Sequence, residues 1–381
     1  MTSNPIIQKT SRTLTQQVCA YDDCFVEFLD AAHNGQKHVQ AALLRESFKR
    51  FQAQAVGIQI DAPTAVLDVS CGPGEYSTAW TSQAAEFLPH GMEFYCTDFP
   101  GGVCKDTGEK YPVATARKIQ EAAASGRLKL TGKPIPVEAN LFSGDEAIIP
   151  QGRSAHVVHW SHSGYHVRDA LGAKKDDPRE IGKGLNNAVD KIWAALDKNG
   201  LLFSVHQTGD VSDGIPSEMF PISKKYLGVL DDVPARVAKR IKELGGYAAA
   251  VIFATPLKFP ELADARWDSL KDANQWDYSD SGQARALRLL GFIAYDFSDP
   301  TTSGLKKLFE RDKLSAFVDD YKTLVRKNSG HINVKCAFQM VCKSPELAHK
   351  IDAIAGELKQ NMSDYMQEME REMRKAAGHK K

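Results

Sequence analysis

The stretch from Val66 to Tyr76 reads VLDVSCGPGEY, and one helix length later the stretch from Met92 to Gly101 reads MEFYCTDFPG. The apolar start of the first stretch predicts a buried strand, which ends at Gly72, Pro73 and Gly74 before residues that favour a helix. Glycines at such a point leave backbone N–H groups uncovered beside a helix N-terminus, where they can bind part of a ligand. The two stretches together predict a nucleotide-cofactor site.

Two carboxylates narrow the kind of cofactor. The loop has neither the GxGxxG spacing of a dinucleotide pyrophosphate loop nor the GKS or GKT that binds phosphates. Asp68 near the end of the first strand can accept hydrogen bonds from a cationic amine, and Asp98 at the end of the next strand can accept them from a ribose diol. Phe99 could lie on an adenine ring. The arrangement resembles motifs I and II of class I S-adenosylmethionine (SAM) methyltransferases, and SAM is the cofactor that this resemblance implies.

Composition favours a small-molecule partner. The 381 residues include 48 Lys and Arg and 48 Asp and Glu, so the formal net charge is zero and bulk electrostatics attract neither nucleic acid nor an anionic membrane. We find no apolar run of the roughly 20 residues that span a bilayer and no secretory leader, and we expect a cytoplasmic protein. The seven cysteines form no CxxC pair and are expected to be reduced, buried thiols.

Apolar segments alternate with helix-length segments along the first half of the chain. Strands are predicted at 65–70, 93–97, 134–142, 155–160 and 201–206. Such alternation predicts an α/β fold with a doubly wound, mostly parallel sheet, whose ligands bind beyond the carboxyl ends of the strands. An apolar segment at 332–342 is expected to add the antiparallel last strand of a Rossmann-like class I methyltransferase sheet.

Four segments follow from this pattern: an N-terminal helical lid (1–60), a SAM-binding Rossmann-like core (61–207), α-helical cap insertions around a core strand at about 248–254 (208–330), and the final core strand with a C-terminal helix (331–381). One long helix is predicted at 304–324 within the cap. The C-terminal helix is predicted from 345 to about 375, with one apolar stripe. That stripe could dock on the domain or pair with a second chain in a homodimer.

Short matches in a common order resemble the SABATH family of small-molecule methyltransferases, which methylate carboxyl groups and alkaloid nitrogens. Members carry an Asp-Leu-Pro-Gly run after the second strand, where this chain has DFPG from Asp98. A cofactor segment with a phenylalanine precedes their fourth strand and is matched by Asn140, Leu141 and Phe142. The resemblance implies that these residues bind the cofactor. Motif I departs from the plant family, since it reads CGPG where CSSG is usual.

The same resemblance points to the substrate. The fourth strand of the family runs into a Trp-Leu-Ser pattern, matched here by Trp160 in HWS. In the family this tryptophan and a glutamine of the N-terminal segment hold the substrate carboxylate, which implies Trp160 together with Gln16 or Gln17. An indole N–H is a donor only, so at the mouth of a pocket it could orient a carboxylate oxygen. The alternative is that Trp160 only packs.

Histidines surround this tryptophan. Those on or just after the fourth strand are His156, His159, His162 and His166. His159 and Trp160 point to opposite faces of the strand, and no cysteine is near to complete a zinc site, so no metal is expected. His162, and His206 at the end of the fifth strand, are instead candidates for a general base, and Tyr165 for a substrate contact.

These residues predict a SAM-dependent methyltransferase that acts on a small molecule. In-line transfer from a sulfonium depends on alignment and desolvation, and a carboxylate acceptor needs no base. A hydroxyl or a protonated amine would need one, with His162 or His206 as the first candidates. A carboxylate is the leading acceptor. The alternatives are N- or O-methylation of a small metabolite, or a SAM-binding regulatory protein without catalysis.

Overall fold

A computed structural model describes residues 27–28, 31, 35–53, 62–104, 107–167, 177–210, 217–227, 232–259, 262, 264–277, 279–294, 304–365 and 367. The chain forms two compact units. The larger comprises Asn34–Ser217, Asp231–Thr255 and Val334–Lys381, and the smaller comprises Met1–His33, Glu218–Leu230 and Pro256–Asn333.

A seven-stranded sheet organises the described chain. Its strands are β1 (Thr64–Val69), β2 (Met92–Asp98), β3 (Ile135–Glu138), β4 (Ala155–Ser161), β5 (Leu196–Gln207), β6 (Tyr247–Lys258) and β7 (His331–Cys342), in the order β3-β2-β1-β4-β5-β7-β6. Strands β1 to β5 pair in parallel, and β7 runs antiparallel to β5. The predicted Rossmann-like sheet with an antiparallel last strand is confirmed.

The strand order creates one reversal point. From β1 the chain adds β2 and β3 on one side, and then returns to add β4 and β5 on the other. Ligands of open α/β sheets bind in the crevice outside the carboxyl ends of the strands at such a switch point. The loop after β1 and the turn after β4 therefore border the place where a ligand is expected.

Helices cover the sheet and build the second unit. They are α1 (Gly35–Ala53), α2 (Glu75–Ala84), α3 (Tyr111–Ala124), α4 (Pro178–Ala195), α5 (Met219–Leu227), α6 (Val233–Glu243), α7 (Asp264–Ser269), α8 (Ser281–Ile293), α9 (Gly304–Glu310), α10 (Leu314–Lys327) and α11 (Pro345–Gln360). Short 3-10 turns follow at Ala85–Phe87, Gly164–His166 and Ala273–Gln275.

Helix α4 shows how sequence fixes a layer of the larger unit. Its N-cap Asp177 accepts a hydrogen bond from the Arg179 N–H, and Pro178 occupies the first turn, where its missing N–H costs nothing. Apolar side chains at helical spacing, from Ile181 to Ile192, are buried against β1 and β4 in one core cluster. Elsewhere in the core, the ring of Phe203 on β5 packs against two other aromatic rings.

Two helix predictions have different outcomes. The single helix predicted at 304–324 is wrong, because the chain breaks into α9 and α10 around Asp312, which adopts a left-handed conformation with φ 53°. The apolar stripe of the C-terminal helix is confirmed for its first half, where Leu347, Ile351, Ile354 and Leu358 are buried. The predicted extension beyond residue 367 lies outside the described residues.

The smaller unit packs its own aromatic core. The Tyr226 hydroxyl donates to Asp320 Oδ2 at 2.8 Å, and the Tyr226 ring meets Phe317 edge-on at 5.5 Å. Trp267 is buried, and Trp276 Nε1 donates to the Leu270 carbonyl at 3.0 Å. These aromatic side chains stabilise the unit itself, and a cap role for the segment stays a prediction. Across the described ranges, every helix is too short or too polar to span a membrane.

Candidate functional site

The glycine loop after β1 turns through left-handed residues. Ser70, Gly72 and Gly74 have φ values of 55°, 54° and 93°. Gly74 is the N-cap of α2, and a Cβ there would lie 2.9 Å from the Thr115 Cα, so α3 packs directly on the loop. Thr115 Oγ1 also donates to the Gly72 carbonyl at 2.8 Å. A Cβ on Gly72 would meet no atom of the described residues within 4 Å, which leaves space for a ligand at this side of the loop.

Asp98 joins the loop to the end of β2. Its Oδ2 accepts from the Gly72 N–H at 2.7 Å, and its Oδ1 accepts from the Phe99 N–H at 2.7 Å. Desolvation raises the pKa of Asp98 to about 6, although both N–H groups and the nearby His166 lower it. Each oxygen keeps a lone pair for a further donor. Phe99 is 51% exposed beside this carboxyl group, which leaves its ring available for stacking.

Asp68 lies deeper and is part of a buried polar chain. It stands opposite His159 in the parallel register of β1 and β4, and its Oδ1 lies 2.7 Å from His159 Nδ1. On the other side of the ring, His159 Nε2 lies 2.6 Å from the amide nitrogen of Gln40 on α1. Trp80 covers the ring at 4.9 Å. Asp68 Oδ2 is buried and has no hydrogen-bond partner within the described part of the chain.

The segment Asn140, Leu141 and Phe142 forms a fixed turn after β3. Asn140 Oδ1 accepts from the Phe142 N–H at 3.0 Å, so the side chain organises its own backbone. Lys191 of α4 donates to the Asn140 carbonyl at 2.7 Å. Leu141 and Phe142 are buried in the core of the larger unit. Their cofactor role stays a prediction.

Trp160 is enclosed at the end of β4. It is 0% exposed, its Nε1 donates to Ser163 Oγ at 2.7 Å, and its ring meets His206 edge-on at 4.6 Å. Its only donor is therefore engaged within the turn that follows the strand. The expected position opposite His159 is confirmed, because Trp160 belongs to the α4 side of the sheet and His159 contacts α1 and α2.

The two candidate bases have different surroundings. The Gly164 N–H donates to His206 Nε2 at 3.2 Å, so the ring proton lies on Nδ1, which donates to Ser204 Oγ at 3.1 Å. Burial, followed by the charges of neighbouring histidines, holds the pKa of His206 well below its usual value. His162 has a left-handed backbone (φ 51°), and burial together with the charge of His159 lowers its pKa to about 3. Both rings are neutral near pH 7.

The structure thus brings the predicted residues together in two groups. Asp68, Gly72, Gly74, Asp98 and Phe99 surround the ends of β1 and β2, whereas Trp160, His162 and His206 surround the ends of β4 and β5. Gln16 and Gln17 lie outside the described residues. Tyr165 is described only as backbone of the turn Gly164–His166.

Sequence reasoning missed four contacts of this site. The role of His159 follows from the register of β1 with β4, which places it beside Asp68, and Gln40 reaches the other side of the ring from α1. The available signal was that Asp68 and His159 both lie within two residues of the carboxyl ends of their predicted strands, 65–70 and 155–160. The sequence carried no comparable signal for Thr115 against the loop or Ser163 against the indole. Among the side chains that the structure describes, no group of three or more His, Cys, Asp or Glu could hold a metal ion.

Comparison with known proteins gives structural likeness alone. No family model and no curated protein matches the chain. An O-methyltransferase family protein from Burkholderia thailandensis aligns at 17% identity and TM-score 0.32 over 49% of this chain, which spans only 47% of that protein. A SAM-dependent methyltransferase from Geobacter sulfurreducens, solved with S-adenosyl-L-homocysteine, aligns at 13% identity and TM-score 0.34 over 77% of this chain and 90% of its own.

The YcgJ protein from Bacillus subtilis aligns at 12% identity and TM-score 0.39 over 77% of this chain and 96% of its own. At identities and TM-scores this low, neither a family nor a function passes from these structures to the chain.

Proposed function

We propose that this chain is a SAM-dependent methyltransferase that acts on a small molecule, with a carboxylate as the methyl acceptor. The observation that carries the proposal is the Asp98 bridge. One carboxyl group at the end of β2 fixes the Gly72 N–H of the loop after β1, which borders the switch point of the sheet, and it keeps lone pairs free for a ligand there. This arrangement supports a ligand with a ribose diol.

Three further features of the site fit SAM. The open space at Gly72 lets a ligand approach the backbone, and the exposed Phe99 ring beside Asp98 suits adenine. Asp68 Oδ2, buried without a partner among the described residues, suits an ammonium group. When bound, SAM supplies an electrophilic methyl group on its sulfonium. Asp68 and Asp98 would hold its amine and its ribose hydroxyls, and the loop would orient it.

The state of the histidines supports a carboxylate acceptor. A base whose pKa is strongly lowered is a weak proton acceptor, and the lowered pKa of His162 makes it such a base. His206 has both ring nitrogens engaged, so it could take a proton only by losing the Gly164 N–H bond. A hydroxyl acceptor would gain little from either ring. A carboxylate is already ionised and needs no base, so the neutral rings and the buried Trp160 indole would serve only to shape the site and exclude water.

The test measures binding and product separately. Calorimetry with SAM and S-adenosylhomocysteine is expected to show binding, and incubation with pooled small carboxylic acids, phenols and amines is expected to give methyl esters by mass spectrometry. If neither ligand binds, the proposal that SAM is the cofactor is refuted. Binding with methylated phenols or amines and no ester would replace the acceptor, and binding without any product would favour a regulatory SAM-binding protein.

A further inference from the structure

We infer that His159, held by Gln40, is a positioning residue that orients Asp68 toward the ammonium end of the bound cofactor. The inference rests on the proposed function, since that ammonium belongs to SAM. It gives a role to two side chains whose chemistry neither the glycine motif nor the family resemblance assigns.

Three buried side chains form a continuous chain of hydrogen bonds from helix to strand. The Gln40 amide nitrogen lies 2.6 Å from His159 Nε2, and His159 Nδ1 lies 2.7 Å from Asp68 Oδ1. Each residue is nearly removed from solvent, with 1%, 1% and 2% exposure for Gln40, His159 and Asp68. Because water cannot compete at such positions, the three side chains depend on one another for hydrogen bonds.

The donor groups fix the direction of this series of hydrogen bonds. The Gln40 amide nitrogen can only donate, so His159 Nε2 accepts and the ring hydrogen lies on Nδ1. His159 Nδ1–H then donates to Asp68 Oδ1. Gln40 therefore selects the tautomer that can hold the carboxyl group, and the hydrogen bond fixes the rotation of that group about its Cβ–Cγ bond.

The fixed carboxyl group presents one oxygen without a partner. Asp68 Oδ2 is buried and accepts no hydrogen bond from the described residues. Buried carboxylate oxygens are normally paired, so this oxygen has the capacity to accept from a bound ligand. An ammonium with three N–H donors supplies such a hydrogen bond together with the opposite charge. The hydrogen bonds from Gln40 through His159 would thus hold Asp68 Oδ2 in a single orientation.

A purely structural role predicts something different. The same contacts attach α1 to β4 and β1, so their loss could loosen the site for every ligand. Positioning of Asp68 instead affects only ligands that carry the amine. S-adenosylhomocysteine carries it, whereas 5′-methylthioadenosine keeps the adenosine and the sulfur and lacks the amino-acid end, so the pair of ligands separates the two roles.

The experiment is calorimetry of the full chain with both ligands. His159→Phe fills the space under Trp80 and cannot donate, and it should weaken S-adenosylhomocysteine about 10- to 100-fold, the worth of a hydrogen bond to a charged group, while methylthioadenosine changes less than about threefold. His159→Asn, whose amide N–H can replace Nδ1–H, should restore most of the affinity. Thermal unfolding of each variant measures its stability.

Equal losses for both ligands, or no loss for either, would overturn the inference. If His159→Phe does not fold, Gln40→Met removes the donor without touching Asp68, and a loss confined to S-adenosylhomocysteine is expected again. A wild-type chain that binds neither ligand would refute the proposed function itself. Binding of methylthioadenosine alone would keep the adenosine site and reject the Asp68 role.

Discussion

Replacement of Asp98 by asparagine should remove most of the affinity for S-adenosylhomocysteine. The carboxyl group accepts from the Gly72 and Phe99 N–H groups at 2.7 Å each, and an amide has only one oxygen for both. One of these N–H groups would then face an NH₂ donor. The ribose hydroxyls would also lose a charged acceptor, worth about 1.5 to 3 kcal/mol for a hydrogen bond to an ion. A total of about 3 kcal/mol corresponds to a Kd roughly 150-fold higher.

Glu138 provides a matched control for this change. It lies opposite Asp98 in the register of β2 and β3, and it pairs with Lys110 at 2.6 Å on the surface. Glu138→Gln removes the same negative charge on the neighbouring strand and should change Kd by less than about threefold, because exposed ion pairs contribute little. Calorimetry at pH 8 measures both variants. Similar shifts in the two, or wild-type affinity in Asp98→Asn, would refute the ribose role.

The raised pKa of Asp98 adds a pH dependence with a definite sign. With a folded-state pKa of about 6, only about a tenth of the carboxyl groups are ionised at pH 5, so affinity should fall about tenfold between pH 8 and pH 5. The free energy of unfolding should instead rise as the pH falls over the same range. Because the folded pKa exceeds the usual 3.8, protonation favours the folded state, and this contribution is lost as pH rises through about 6. Asp98→Asn should abolish both effects, whereas His166→Gln should keep them.

Three further predictions concern the loop and the strand ends. Gly74→Ala should lower the free energy of unfolding by about 2 kcal/mol or more, because its Cβ would meet the Thr115 backbone of α3 in addition to the cost of a left-handed φ. Gly72→Ala shares the left-handed φ but its Cβ would meet no described atom, so it should cost less stability, about 1 kcal/mol, and mainly weaken S-adenosylhomocysteine binding. Unfolding midpoints and calorimetry compare the two variants, and the reverse pattern would contradict the loop geometry. Trp160→Phe, which frees the Ser163 hydroxyl, should raise the acceptor KM more than the SAM KM in steady-state assays; equal changes would reject an acceptor role. His206→Gln should lower kcat by less than about tenfold and leave the pH–rate profile unchanged, because His206 does not act as a base. Loss of a general base would lower kcat by at least that factor.

The sheet was predictable because its strands are buried and apolar. The segment 201–206 lies inside β5, and the segment 332–342 is nearly the whole of β7. Strands that are covered on both faces form continuous apolar runs, and turn residues interrupt these runs. The third strand was predicted too long. It ends at Glu138 instead of 142, because the Asn140 side chain bonds its own backbone and starts a turn.

The break between α9 and α10 was not predictable from periodicity. Asp312 stands between Arg311 and Lys313, and polar residues fit the exposed side of a helix as well as a turn. Tertiary packing decides between the two, since Leu308 and Leu314 are both buried on either side of the break. A local pattern contains no information on that packing.

The candidate site, like the fold, was predictable from the sequence only in part. Asp98 and the glycine loop were predicted together because each follows the end of a strand, and neighbouring parallel strands end at one edge. The contact of His159 with Asp68 depends on the register between β1 and β4, which are 91 residues apart at this pair. The Trp160 indole was expected at a pocket mouth, but the turn after β4 brings Ser163 to its N–H. Side-chain direction in a turn depends on backbone angles that the residue types did not specify.

The two halves of the site differ in electrostatic character, and this difference bears on the acceptor. Around β1 and β2 lie the carboxyl groups of Asp68 and Asp98, suited to an amine and to hydroxyl donors. Around β4 and β5 lie His162 and His206, whose lowered pKa values keep them uncharged. An acceptor that must lose a proton would find only weak bases there, so its reaction rate would rise with its own ionisation. An acceptor that is already ionised should react at a rate independent of pH above its own pKa, once SAM is saturating, and that profile is what a carboxylate acceptor requires.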